Sequence, residues 1–560
     1  MLTQADIDYI ISNEGADVTR LLLGAKSGKS PKGKESKMGT AKANTYKTSD
    51  ADVMAINYPL CAKCIQAREK MKIKAPLWYN NPSLMYPFAV SVEQGSSQAT
   101  ALFKQKIIAQ LLNVPETPGF PDKTQSPREN VPETPEIPDK TQSPRENVLE
   151  SPEFPDKTQS PRENVPETPE FQDKTQSPRE NVLKSPEFQD KTQSPRENVP
   201  ETPEFPDKID ANEGNLSGRK IITADLTGGM GIDSYFISKI ASTHYYFERN
   251  AELCAATEYN FNQLGANNII VSNRDVTADN CAALQELQGK DITLIYIDPA
   301  RRTQTGGKAI MLQDYEPNII ELQDLLFATS RYILVKVSPM ADIKQNLQLL
   351  PKTSAVYIVA VNNECKELLF LLDSQHPTGQ EPPIYCCDVV LICNSLTNSN
   401  IENSTNQGVR TVHPDYQLIT NLDNVTIKEE EQAQPKYTST VGEYLYEPGK
   451  AILKSGAYKL LSQRYNCSKL AVSTHLYTSN EINGNFPGKI FKVEECIPFN
   501  KKTLNEIAAK HPYADITARN FPLDTNALKK LSGIKDGGCK HIFAVTLTNG
   551  EKVLIITHKL

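Results

Sequence analysis

Between Ile221 and Met340 the chain alternates short apolar runs with stretches of helical periodicity. The runs at 220–226, 244–248, 269–274, 292–298 and 332–338 have strand length and are rich in β-branched and aromatic residues. Segments near 232–240, 250–264, 279–288 and 317–328 repeat apolar residues at three- and four-residue intervals, which predicts helices between the strands. A further helix at 342–350 precedes "AVYIVAVNNE" and "ELLFLLDS", two strands joined by a tight turn. Five βα units closed by a hairpin predict an α/β fold, a parallel sheet with one antiparallel strand near an edge.

The flanks carry other patterns. Helical segments are expected from Gln4 to about Leu23 and from Asp50 to Lys72. "SVEQGSSQATALFKQKIIAQLL" then reads as a loop and an amphipathic helix, capped by Ser96 or Ser97, with Ala101, Ile107, Ile108 and Leu111 on its apolar face. Beyond about Tyr444, helices at 450–463, 501–510 and 525–532 alternate with strands near 469–473, 488–494, 514–519, 541–547 and 552–557. That pattern predicts a smaller α+β unit. The Asn-, Thr- and Gln-rich stretch 398–440 reads as loop.

A tandem repeat interrupts the first half. "VPETPGFPDKTQSPREN" starts at Val114 and recurs at Val131, Val148, Val165 and Val182, with a truncated copy from Val199. Its prolines block helix and its few large apolar residues cannot offset ordering entropy, so the expectation is an extended, disordered spacer. The Ser-Pro and Thr-Pro dipeptides leave open a multivalent site for an unknown partner. A basic, polar linker spans 26–50.

The net charge of −7 conceals a division: +6 over 1–113, −9 over 114–208, −12 over 209–435 and +8 over 436–560. Basic flanks suit a polyanionic partner. No apolar run approaches membrane-spanning length and no signal-peptide pattern is present. The 11 cysteines form no framework, and Cys61 and Cys64 lack further ligands at zinc spacing, so reduced thiols, no metal and a cytoplasmic location are expected.

The chemistry concentrates at strand ends. The first strand closes in "ADLTGGMGID", where Asp225 leads through Thr227, Gly228, Gly229 and Gly231 to Asp233. This turn is neither G-x-G-x-x-G nor a P-loop, and no lysine follows for phosphates. The next strands end at Glu248, Asp275 and Asp298. Ligands of open α/β sheets bind outside the carboxyl ends of the strands. An acid after the second strand suits ribose hydroxyls and one after the third suits an adenine amino group, while a crevice this acidic suits a cation. S-adenosylmethionine, an adenosine bearing a sulfonium, meets all of these demands.

With those motifs in hand, residues 221–374 resemble a class I S-adenosylmethionine-dependent methyltransferase, with its Rossmann-like seven-stranded sheet. Asp225 to Gly231 match its first motif, Glu248 the ribose acid, Asp275 the adenine-side acid and Asp298-Pro299 the catalytic fourth motif. More closely, "EQGSSQATALFK", "DLTGGMGID", "YIDPARR", "NECKELL", "YEPGKAILKSGAYKLL" and "THLYTS" resemble a bacterial group of candidate RNA methyltransferases with ferredoxin-like and THUMP-like C-terminal domains. The resemblance covers nearly all of the chain except the repeats at 114–208 and the basic linker at 26–50, which look like insertions; around them it implies a mainly helical region at 1–113, a methyltransferase domain at 209–397, a polar connection at 398–443, a ferredoxin-like segment at 444–487 and a THUMP-like RNA-binding domain at 488–560. It implies S-adenosylmethionine as cofactor, held by Asp225, Thr227, Gly228, Gly229, Gly231, Asp233, Glu248 and Asp275. The partner it implies is tRNA or rRNA, gripped by the basic C-terminal domain.

Methyltransferases acting on exocyclic base nitrogens follow the acid or amide with Pro-Pro and an aromatic. Here Asp298 and Pro299 are followed by Ala300 and Arg301, and Arg301 can stack on a base, hold a phosphate or pair with the acidic core. Carbon-5 methylation requires a cysteine after the fourth or fifth strand, where "VKVSPM" offers Ser338. The expected catalytic set is Asp298, Pro299 and Arg301, with transfer to nitrogen. Methylation of a protein or small molecule, or a non-catalytic RNA-binding role, are the alternatives.

Overall fold

The computed structural model describes residues 1–19, 56–114, 220–277, 281–300, 311–393 and 416–560. The basic linker, the repeats from residue 115 onward, and Arg301 lie outside them.

Nine strands form the larger sheet, in the order β3-β2-β1-β4-β5-β7-β6-β8-β9. The first five are β1 (Ile222–Asp225), β2 (Thr243–Phe247), β3 (Ile269–Ser272), β4 (Ile292–Ile297) and β5 (Ser330–Val337). These five run parallel, with β1 between β2 and β4. β7 (Glu364–Asp373) inserts antiparallel between β5 and β6 (Thr353–Val361). This is the expected sheet with its late hairpin, and the strand order reverses between β1 and β4, where such sheets open a crevice.

Two further strands extend the seven expected ones. β8 (Ile384–Cys393) pairs parallel with β6, and β9 (Tyr416–Val425) pairs antiparallel with β8 along its whole length. β9 falls inside the stretch read as loop. Its "YQLITNLDNV" alternates too weakly to show a strand, and only pairing with β8 supplies its ladder.

The N-terminal helices are a layer on this sheet. Ile10, Cys61, Trp78 and Tyr86 share one core with Met230, Ile232, Phe236 and Phe261. Phe103, Ile107 and Ile108, on the helix Gln98–Leu111, pack with Tyr296, Leu334, Tyr357 and Leu369. Ser97 caps that helix, accepting from Thr100 N–H, so the cap choice between Ser96 and Ser97 resolves to Ser97. On the opposite face, Leu322 and Leu326 pack with Ala451, Ile452, Leu460 and Leu461 over Val356, Ile358 and Phe370.

The second sheet has seven strands, ordered β11-β12-β10-β13-β16-β15-β14. These are β10 (Tyr444–Pro448), β11 (Ser468–Lys469), β12 (Tyr477–Ser479), β13 (Gly488–Pro498), β14 (Asp515–Arg519), β15 (Lys540–Thr546) and β16 (Lys552–Lys559). The helices Lys501–Lys510 and Thr525–Ser532 cover one face through Leu504, Ile507 and Leu528. The helix expected at 450–463 is two, Lys450–Ser455 and Tyr458–Arg464, broken at Gly456. Among the described residues no helix is long and apolar enough to cross a membrane.

Candidate functional site

The ends of β1 to β5 and the N-terminal layer enclose a cleft of about 1510 Å³. Its first wall is the turn after β1. Gly228 N–H donates to Phe247 O over 2.8 Å, and a Cβ at Gly228 would lie 2.0 Å from the Tyr246 ring. A Cβ at Gly231 would meet Phe261 at 2.5 Å. Packing therefore demands both glycines. Gly229 differs: its φ is +54°, yet the nearest atom to an added Cβ is Thr227 O at 3.8 Å. Among the described residues beyond its chain neighbours, no other heavy atom lies within 4 Å of that position, and this is where a ligand can approach bare backbone.

Asp225 is 1 % exposed, and both its oxygens are engaged inside the turn. Oδ1 accepts from Thr227 N–H (3.0 Å) and Oδ2 from the Ser234 hydroxyl (2.6 Å). Its place is to shape the turn. Burial pushes its carboxyl up to about 7, Asp233 and Asp298 adding while the two hydrogen bonds oppose. In the unfolded chain the group titrates near 3.8, so the stability it contributes is full below that value and is lost as pH rises through about 7. Asp225→Asn is expected to flatten this fall. Urea denaturation at several pH values from about 4 to about 8 checks it, and an unaltered slope would show that another group is responsible.

Glu248, after β2, accepts from Gly229 N–H over 3.0 Å and from Asn250 N–H over 2.8 Å, one bond to each oxygen. A carboxylate has about four acceptor positions, so two remain for hydroxyls. Asp275 lines the cleft, its Oδ1 accepting from Val276 N–H (2.9 Å). Asp298 closes β4. Its N–H donates to the Thr227 hydroxyl over 2.6 Å, tying the β4 end to the β1 turn, and its Oδ2 accepts from Lys336 Nζ at 2.5 Å. After Pro299, Ala300 and Glu316 exchange backbone hydrogen bonds of 2.7 and 3.0 Å, which pinches the intervening loop at its base.

Asp233, expected at the cofactor, lines the cleft and is the hub of a buried ionic network. It accepts from the Ser96 hydroxyl (2.6 Å), the Tyr296 hydroxyl (2.8 Å) and Lys104 Nζ (3.0 Å). Lys104, 0 % exposed, also lies 2.8 Å from Glu367 on β7. Burial alone would raise the Asp233 carboxyl, but Lys104 and Lys336 outweigh it and hold it below the ordinary carboxylate range. Burial alone would likewise lower the Lys336 ammonium, but Asp298, Glu367 and Asp233 hold it above its ordinary value, so it stays charged. Lys336 Nζ is 3.5 Å from the Ser96 hydroxyl, which places the N-terminal segment one ammonium away from Asp298.

Ser96, Lys104, Lys336 and Glu367 were not singled out as site residues from sequence. The signal was a charge in an apolar setting: Lys104 sits on the apolar stripe between Ala101 and Ile108, and Lys336 interrupts "YILVKV". The opposite wall comes from the helix Tyr58–Lys74 and the segment after it. Lys63, Lys70 and Lys74 face the cleft there, with Lys63 Nζ 5.6 Å from the centre of the Phe88 ring. The strand-end wall thus carries Asp225, Glu248, Asp275 and Asp298 with Lys336 among them, and the N-terminal wall carries Lys63, Lys74 and the Lys70–Glu93 ion pair. Among the described residues, no cluster of His, Cys, Asp and Glu could hold a metal ion.

Residues 444–487 match a family described as a ferredoxin-like domain, and residues 488–559 one described as THUMP domain-like. No curated protein matches the chain. A candidate methyltransferase from Porphyromonas gingivalis W83 has the same fold over the whole length, covering 100% of both chains with a TM-score of 0.63 at 23% identity. Weaker likenesses include an rRNA methylase from Streptococcus thermophilus (15% identity, 28% of this chain and 88% of that one, TM-score 0.21). Another is a SAM-dependent methyltransferase from Aquifex aeolicus (14% identity, 27% and 82%, TM-score 0.21). The chain therefore joins an α/β sheet of methyltransferase strand order to a ferredoxin-like and a THUMP-like domain, in the full-length fold of the Porphyromonas gingivalis protein.

Proposed function

We propose that this protein is an S-adenosylmethionine-dependent methyltransferase of class I that methylates a base nitrogen in structured RNA, tRNA or rRNA. The observation that carries the cofactor is the open backbone at Gly229 with Glu248 against it, at the sheet's switch point. Glu248 would accept from the ribose hydroxyls and Asp275 from the adenine amino group, with Thr227 fixing the turn. When bound, the cofactor supplies a methyl group on a sulfonium. Asp298, aimed by Lys336 and by its backbone bond to Thr227, accepts an N–H of the substrate's amino group and turns the nitrogen lone pair toward that methyl. The proton that the substrate nitrogen gives up on methylation would pass to Asp298. Pro299 and Arg301 are the other two members of the proposed catalytic set. The THUMP-like domain and the basic C-terminal charge support RNA as acceptor.

Titration calorimetry with S-adenosylhomocysteine tests the cofactor. Wild type is expected to bind, and Gly229→Arg, which fills the open cradle, to abolish binding. Undiminished binding by the variant would overturn the assignment. For the acceptor, nucleoside mass spectrometry of tRNA and rRNA from cells lacking the protein is expected to show one methylated base missing. Identical profiles would remove RNA as the substrate.

A further inference from the structure

A second charged site lies where the two C-terminal families meet. β10 of the ferredoxin-like segment pairs with β13 of the THUMP-like domain, from Tyr444↔Lys492 to Pro448↔Gly488, so one sheet runs through both. At the end of this pairing Glu447 is 6 % exposed. It accepts from Arg519 Nη2 at 2.7 Å, and Lys489 Nζ lies 3.9 Å from its other oxygen. Lys450 follows three residues later, half-buried. Its ammonium is pulled down by burial first, then by Arg519, with Lys489 adding and Glu447 opposing. Arg519 and Lys489 thus contact one buried carboxylate, and Lys450 stands three residues along the chain from it. The surplus is two positive charges in a partly enclosed place, and the Arg519 and Lys489 side chains keep 34% and 40% of their surface in solvent.

The position of this cluster matters as much as its charge. Lys450 N–H donates to Asn363 Oδ1 over 3.2 Å. Asn363 sits in the β6–β7 turn, whose neighbours Asn362 and Lys366 line the cleft that holds Asp298. Lys450 is thus tied through its backbone to a turn that adjoins the cleft, and residues from both C-terminal families contribute to the cluster.

We propose that Lys450, Lys489 and Arg519 form a phosphate site that seats the backbone of the acceptor RNA beside the cleft mouth. This rests on the RNA reading given above. Two successive phosphodiesters would neutralise the surplus, and the guanidinium fork with two flanking ammoniums suits phosphate oxygens. The site makes the THUMP-like sheet and the catalytic sheet grip one RNA together, and fixes how far the target base lies from the seated backbone.

The test uses the full chain with Lys450→Gln/Lys489→Gln, which leaves the Arg519–Glu447 pair in place so that no buried carboxylate is stranded. Binding of a fluorescein-labelled RNA hairpin is followed by anisotropy over a range of salt concentrations. The slope of log K against log salt is expected to fall by about 1.4–1.8, two phosphate contacts' worth. Lys450→Arg/Lys489→Arg is expected to restore it, and affinity for S-adenosylhomocysteine is expected to match wild type throughout. An unchanged slope in the Gln variant, with RNA still bound, would overturn the phosphate site alone. Wild type that binds S-adenosylhomocysteine but no RNA would overturn the RNA reading and this site with it.

Discussion

Replacing Asp298 by alanine is expected to lower the single-turnover rate of methyl transfer by roughly two to four orders of magnitude, the usual range for a positioned acid–base group. Affinity for S-adenosylhomocysteine should stay close to wild type, because the adenosine end is assigned to Glu248 and Asp275. Asp298→Asn separates two roles. Its amide oxygen can still accept from an amino N–H but cannot take up the proton, and it loses the Lys336 ion pair. An Asn variant of near-wild-type rate would mean that Asp298 only orients the nitrogen. An alanine variant of near-wild-type rate would remove Asp298 from the reaction altogether.

Lys104→Met is expected to destabilise the protein by about 3–5 kcal/mol, because it removes the cation that contacts both Asp233 and Glu367 and leaves the two buried acids with only Lys336 to balance them. The single tryptophan makes this measurable. Trp78 is fully buried, edge-on to Tyr235 at 6.4 Å, at the contact between the N-terminal layer and the helix Ile232–Ser238. Its fluorescence during urea denaturation should report the loss. Adding Glu367→Gln and Asp233→Asn should recover part of the stability, since removing a whole buried network is less harmful than breaking it. A Lys104→Met protein as stable as wild type would show that the network contributes nothing net.

The strand-end acids were legible because the sheet's geometry puts every parallel strand's carboxyl end on one side. Once five apolar runs alternated with helices, Glu248, Asp275 and Asp298 had to converge, and the cleft brings them together. The division of labour among them was not legible. Asp225 and Asp233 belong to the same motif as Gly229, yet their oxygens face Ser234, Ser96 and Lys104. Which way a carboxylate points depends on donors far away in the chain, and local spacing carries no trace of them. The N-terminal layer was hidden for the same reason: its helices read as a separate region because the contacts that make them a wall of the site are all long-range. β9 was missed because a weakly alternating edge segment becomes a strand only beside its partner.

The bond between Lys104 and Asp233 spans the repeats, so folding must bring together two points, Leu111 and Ile222, that are about 110 residues apart in sequence. By length alone, closing about 110 residues costs only about 2 kcal/mol more than closing about ten, because the entropy grows with the logarithm of length. One more 17-residue copy would add about 0.1 kcal/mol. Copy number can therefore drift between generations with almost no thermodynamic penalty, while the residues on either side of the array stay locked in register with each other.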